Sequence, residues 1–175
     1  MKKIILAIVA LLLIAGGVFY FLNAKENYDP SKYSATVAPA PLQKGSKIDF
    51  TLPDQFGKSH TLEPGTRTLI MTFAKASSHV VRNFLKEQPE DFLLTHEAEY
   101  VADIHPMPVV IRNAFAMPDL KKSHYPVLLI YDAKIEQQFL QPEHKEDIMV
   151  VTLNNQVITA IDYVKDAKEL AEKLQ

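Results

Sequence analysis

The sequence predicts an α/β domain, a central mixed sheet flanked by helices, behind an N-terminal transmembrane helix. Three observations predict it. Ile4 to Leu22 is apolar and carries no charge. Thr68 to Ala74 is a short run rich in β-formers, followed at once by a small polar turn and a helical stripe. From there to the C-terminus, apolar runs that suit strands alternate with stretches of helical period.

At 175 residues the chain is long enough for one domain with a real core plus an appendage. Its 47% hydrophobic and 23% charged residues exclude a disordered chain. A net charge of −2 with no dense Lys/Arg face argues against nucleic acid as a partner. Cysteine is absent, which removes disulfides, thiolate nucleophiles and thiolate metal sites together.

Lys2 and Lys3 precede the apolar run, and Tyr20 and Phe21 sit where an interfacial aromatic belt would be. The lysines and the acidic remainder orient the N-terminus to the cytoplasm. The rest is then expected in a bacterial periplasm, held at the inner membrane by a single pass. The rival is a cleaved signal peptide, giving a secreted periplasmic form. Its apolar region is usually shorter, and cleavage after Ala24 would put bulky Leu22 at the −3 position. The anchor therefore spans residues 1–24. Residues 25–44, with Pro30, Pro39 and Pro41 and no apolar period, read as an extended linker. The domain covers 45–175.

Within it, Ile48 to Leu52 reads as a strand, Asp54-Gln55-Phe56-Gly57 as a turn and Ser59 to Leu62 as a return strand. Thr68 to Ala74 is the central strand. Its neighbours are expected to be Tyr100–Ile104 and Ile148–Leu153. A helix follows from Ser78 to about Gln88, with Ser77 or Ser78 as its cap and Val80, Val81, Phe84 and Leu85 on its apolar face. Pro89 opens a short helical piece. Met107 to Met117 has helical spacing, and Val127 to Tyr131 reads as a strand beside which Gln137 to Leu140 pairs. Ile148–Leu153 and Val157–Tyr163 flank Asn154-Asn155 as a hairpin. A terminal helix from Asp166 turns Ala167, Leu170, Ala171 and Leu174 inward.

Some of these words resemble a known family. Gly45-Ser46-Lys47-Ile48-Asp49-Phe50-Thr51-Leu52-Pro53-Asp54-Gln55-Phe56-Gly57-Lys58 looks like the phrase G-x-x-x-x-F-x-L-x-D-x-x-G-K. Tyr125-Pro126-Val127-Leu128-Leu129 is similar to the F-P-L-L word of peroxiredoxins, and Asn154 to Ile161 to a closing hairpin. Together they resemble the redoxin, peroxiredoxin-like branch of the thioredoxin-like superfamily over about residues 45 to 174. Tyr100-Val101-Ala102-Asp103-Ile104-His105-Pro106-Met107-Pro108 looks like a phrase of cysteine-free, membrane-anchored bacterial relatives. The resemblance implies a thioredoxin-like fold. It also implies a reactive cysteine at the turn into the first core helix, where this chain has Lys75-Ala76-Ser77-Ser78-His79. The family's proline before the penultimate strand is replaced by Lys145-Glu146-Asp147. Peroxidase and disulfide-exchange chemistry is therefore not expected.

Ser77, Ser78 and His79 end one core strand, and Asp103 and His105 end the next. Two readings compete. In one the five converge as a Ser/His/Asp hydrolytic site. In the other the serines cap a helix while Asp103 and His105 satisfy backbone groups. No G-x-S-x-G elbow supports the first. Among the six histidines there is no H-E-x-x-H, so a metal would need residues distant in sequence to converge. Met107 and Met117 read as core filling. The expectation is a non-catalytic binding or assembly module without cofactor or metal. It would bind a protein or peptide through Ser77, Ser78, His79, Asp103, His105 and Pro108.

Overall fold

The structure is a computed structural model and describes residues 2–26 and 28–174. Helix α1 (Lys2–Asn23) has 22 residues, about 33 Å at the α-helical rise. Its apolar stretch Ile4–Asn23 is not buried by the rest of the protein and is long enough to cross a membrane.

Eight strands form the sheet: β1 (Ser34–Ala38), β2 (Lys47–Pro53), β3 (Ser59–Thr61), β4 (Thr68–Thr72), β5 (Ala98–Asp103), β6 (Leu128–Ile130), β7 (Ile148–Asn154) and β8 (Val157–Val164). Their order is β1-β2-β8-β7-β4-β5-β6, with β3 paired to β2. Strand β4 runs parallel to β5 on one side and antiparallel to β7 on the other, which are the two neighbours expected for it. Strands β5 and β6 are also parallel. Strands β7 and β8 form a hairpin whose turn centres on Asn155 and Gln156, at φ of 50° and 68°. Two positive-φ residues match the right-handed twist of the strands.

Helices α2 (Lys75–Lys86), α3 (Phe92–Thr95) and α7 (Ala167–Lys173) cover one face. Helices α4 (Val109–Ile111) and α5 (Met117–Leu120) are joined by a π-helical segment, Arg112–Ala116. Helix α6 (Ala133–Phe139) lies on the other face. Strand alternation divides the core accordingly. Ile70, Tyr100, Ala102, Leu129 and Val150 meet α2, α3 and α7. Leu69, Met71, Val101, Leu128 and Val151 meet α6 and the N-terminal hairpin.

That hairpin crosses the second face. Strand β2 touches β8 at Lys47↔Val157, and Asp54 bridges to Leu128 of β6 beyond its far end. Buried Gln55 pins it: its Nε2 donates to the Tyr125 carbonyl at 2.9 Å, and its Oε1 accepts from Val127 N–H at 2.9 Å. Asp54 shapes the turn. Its Oδ1 accepts from the N–H groups of Phe56 and Lys58, and its Oδ2 pairs with His60 at 3.0 Å. Burial alone would raise this carboxyl, but the His60 bond and the two N–H groups outweigh it and hold the pKa below the usual range. Gly57, at φ +80°, supplies the left-handed residue of the turn.

Three expectations need correction. Gln137 to Leu140 does not pair as a strand; it belongs to α6, where Ile135 and Phe139 point inward four residues apart and Asp132 caps Lys134 N–H. The first core helix starts at Lys75 behind Ala74, which makes no side-chain cap, so Ser77 and Ser78 lie inside it. The segment 25–44, read as an extended linker, contains a strand of the sheet: Ser34–Ala38 is β1, paired along its length with β2. Val37 and Leu42 of this stretch join the core, which is why it stays on the domain.

Phe73, 4% exposed, packs in the core just beyond β4. Phe73→Ala is expected to cost ~3–5 kcal/mol in denaturant unfolding, and a loss below about 1 kcal/mol would place Phe73 outside the core. Gln55→Ala leaves the Val127 N–H and the Tyr125 carbonyl without their side-chain partner. A loss of ~1–3 kcal/mol is expected in the same assay, and an unchanged midpoint would show that the hairpin is held without the amide.

Candidate functional site

The turn from β4 into α2 is built around a buried phenol. Tyr100 of β5 is fully enclosed, and its hydroxyl bonds Ser78 Oγ at 2.9 Å and Thr72 Oγ1 at 3.2 Å. Ser77 is 3% exposed and its hydroxyl donates to the Ala74 carbonyl at 3.1 Å. Both serines are committed to structure, and neither has a histidine partner among the described residues. His79 points to solvent.

Asp103 and His105 lie at the end of β5, but their side chains belong to the other face. Tyr100 and Ala102 face α2, so alternation sends Val101 and Asp103 toward α6. The Asp103 side chain has no exposed surface. Its Oδ1 accepts from His105 N–H at 3.0 Å and lies 3.2 Å from His105 Nδ1. Glu136 of α6 completes the group, with Oε2 3.7 Å from the same nitrogen. Burial raises the Asp103 carboxyl pKa and the Glu136 charge adds to the rise, while the His105 N–H groups oppose it. The five residues considered for hydrolysis thus fall into two groups with no hydrogen bond between them among the described residues. The single-residue alternation of β5 separates them.

Glu136 is the residue that sequence reasoning missed. Asp132 as a cap, with Ile135 and Phe139 four apart, was the available signal. The apolar Phe139-Leu140 end of the segment favoured a strand instead.

Beside the turn lies an open cleft of about 360 Å³ between the start of α2 and the α4–π–α5 helix. Ser78, His79, Ile104, Met107, Ile111 and Phe115 line much of it. Ile111 and Phe115 are 47% and 60% exposed, so its rim is apolar. Asp103 also borders it, although the carboxylate turns away. Pro108 sits exposed at the start of α4 and is not among the lining residues. His79 and Pro106 also border a shallower depression.

The same helix holds the end of α1. Asn113 Nδ2 donates to the carbonyl of Asn23, left open by the helix end, and to that of Lys25 just beyond it, at 2.9 and 2.8 Å. Buried Arg112 pairs with Glu26 and lies over the Tyr131 ring at 4.8 Å. Phe115 meets Phe19 of α1 with centroids 6.1 Å apart.

Tyr100 gives the turn a pH signature. Burial pushes its phenol up to about 12, with the Ser78 and Thr72 hydroxyls pulling the other way. Unfolded tyrosines titrate near 10, so the folded state holds this proton more tightly. That contribution to stability is full below pH ~10 and is lost as pH rises toward 12. Tyr28 and Tyr131 are raised similarly. Tyr100→Phe should therefore reduce, without abolishing, the fall in unfolding free energy above pH ~10. An unchanged alkaline slope would mean that Tyr100 ionises normally.

No family profile and no curated protein matches the sequence. Solved structures do. One is the peroxidoxin BcpB from Mycobacterium tuberculosis, at TM-score 0.51 and 16% identity, covering 76% of this chain and 94% of that one. Another is a putative thiol:disulfide interchange protein DsbE from Chlorobium tepidum, at TM-score 0.51 and 15% identity, covering 76% and 95%. At such identities the likeness concerns the fold alone.

Proposed function

We propose that this chain, a thioredoxin-like fold without cysteine, is a membrane-anchored, periplasm-facing module that holds a protein or peptide partner without chemically converting it. One observation carries the reading. At the strand-to-helix turn where the resemblance calls for a reactive cysteine, this chain has Ser77 and Ser78, both already hydrogen-bonded, beside an open cleft with an apolar rim. The activities in the names of its structural neighbours, peroxide reduction and disulfide interchange, run through a thiolate. Serine has no comparable redox cycle. A cleft bordered by Met107, Ile111 and Phe115 suits an apolar side chain of an extended peptide.

Anchoring is supported by the length and apolar character of α1 and by Lys2 and Lys3 before its apolar run. Phe115 lines the cleft and also touches Phe19, so the cleft lies close to the outer end of the anchor. A partner at or near the bilayer surface fits that placement.

A photo-crosslinking residue at position 79 in living cells is expected to capture one discrete partner, and Phe115→Glu to abolish the capture. Undiminished capture in that variant would move the binding surface away from the cleft. The purified protein should consume no peroxide with a thiol donor, and measurable turnover would overturn the redox-inactive reading. On alkaline washing the protein should stay with the membrane. Release as a chain beginning at Lys25 would make it a secreted form of the same domain.

A further inference from the structure

On the α6 side of the sheet, the end of β5 gathers a set of groups whose polar atoms the proposed cleft contact does not use. Asp103, His105 and Glu136 bring one ligand atom each to within 4.8 Å of one another. They come from a strand end, the loop after it and the middle of a helix, so the convergence is made by the tertiary fold. Both acids are enclosed: the Asp103 side chain has no exposed surface and Glu136 is 8% exposed. Among the described residues neither has a lysine or arginine partner, and both share His105 alone. The Glu136 carboxylate receives no hydrogen bond among the described residues, and its nearest partner is His105 Nδ1 at 3.7 Å. Two nearly enclosed carboxylates side by side repel each other, and a cation between them would relieve that repulsion.

We propose that Asp103, His105 and Glu136 bind a divalent transition-metal ion of the zinc class. The spacing of the His105 nitrogen from each carboxylate suits it. Two donors on one tetrahedral ion with bonds of ~2.0–2.2 Å stand roughly 3.4 Å apart, and Nδ1 lies 3.2 Å from Asp103 Oδ1 and 3.7 Å from Glu136 Oε2. Two carboxylates and a neutral imidazole balance a divalent charge, so the filled site can stay buried without a net ion. The His105 backbone N–H holds Asp103 Oδ1 in place, a supporting contact usual around ligating carboxylates. An imidazole nitrogen with two carboxylate oxygens favours zinc, cobalt or manganese over calcium or magnesium. The His105 side chain is 24% exposed, which provides access and leaves the remaining coordination to water. The ion would tie α6 to the end of β5.

The test uses the full chain in detergent micelles, with Zn²⁺ followed by calorimetry and Co²⁺ by its visible absorption. One equivalent of each is expected to bind. Glu136→Gln, which keeps the side-chain shape, and His105→Ala, at a partly exposed position, should each weaken binding by at least about tenfold. His124→Ala, at an exposed position outside the cleft, should bind as the parent does, and zinc should raise the melting temperature of the parent and of His124→Ala but not of Glu136→Gln. Absence of a bound equivalent would overturn the site. So would parental affinity in both the Glu136→Gln and His105→Ala proteins, which would assign the ion to other histidines. Partner capture through the cleft is scored separately, so either reading can fail without the other.

Discussion

Both faces of the five-stranded core β8-β7-β4-β5-β6 are apolar, so both must be covered, and the rest of the architecture follows from how the second face is closed. Helices cover the first face by ordinary crossover connections. The second is closed by α6 and by a hairpin lying across it, which among the described residues pairs with β8 at Lys47 and with β6 through Asp54 just beyond its strand. Few backbone bonds hold such a crossing strand, so the Gln55 amide matters. It satisfies one donor and one acceptor on either side of Pro126, just before β6 begins. With β6 placed there, β5 gains an outer neighbour and α6 follows directly behind. The end of β5 is then enclosed, and Asp103 loses its water.

Strand β5 divides the chemistry of the molecule. Its period of two sends Tyr100 into the helical layer, where its phenol ties Ser78 to Thr72, and sends Asp103 into the layer of α6. The hydroxyls of the α2 turn are consumed in a small closed network, and such networks favour rigidity over reactivity. The acidic residues on the other side have the opposite character, with too few donors for their lone pairs. One strand therefore separates a hydrogen-bonded turn beside an open cleft from a compact set of two carboxylates and an imidazole.

The α4–π–α5 helix connects the domain to its N-terminal helix. A π-turn widens the helix locally and re-aims side chains. Here the segment carries Arg112 onto Glu26 and Tyr131, Asn113 onto the last carbonyl of α1, and Phe115 toward Phe19. Tyr28 stacks between Tyr33 and Tyr131, at 5.4 and 4.8 Å, and carries the chain from α1 to the first strand. Prolines and the lack of an apolar period read as an extended linker. The aromatic stack and the pairing of Ser34–Ala38 hold the same stretch against the domain instead.

Local pattern by itself determined the elements whose signal is carried by neighbours in the chain. The apolar run of α1, the buried strand β4, the amphipathic stripe of α2, the β7–β8 hairpin and the Asp166-capped terminal helix were all legible, because periodicity and turn chemistry act over a few residues. The absence of cysteine was equally plain, and it settled that no thiolate chemistry is available. Tertiary structure decided the rest. Ser77 and Ser78 looked like caps, but the buried Tyr100 phenol and the Ala74 carbonyl claimed them. Asp103 and His105 looked able to join the serines, but β5 alternation turned Asp103 to the opposite face. Glu136 joined them from a helix whose short sequence resembled a strand. Which side chains meet depends on register, on the face of each strand and on which element covers it, and those are fixed only when the whole sheet closes.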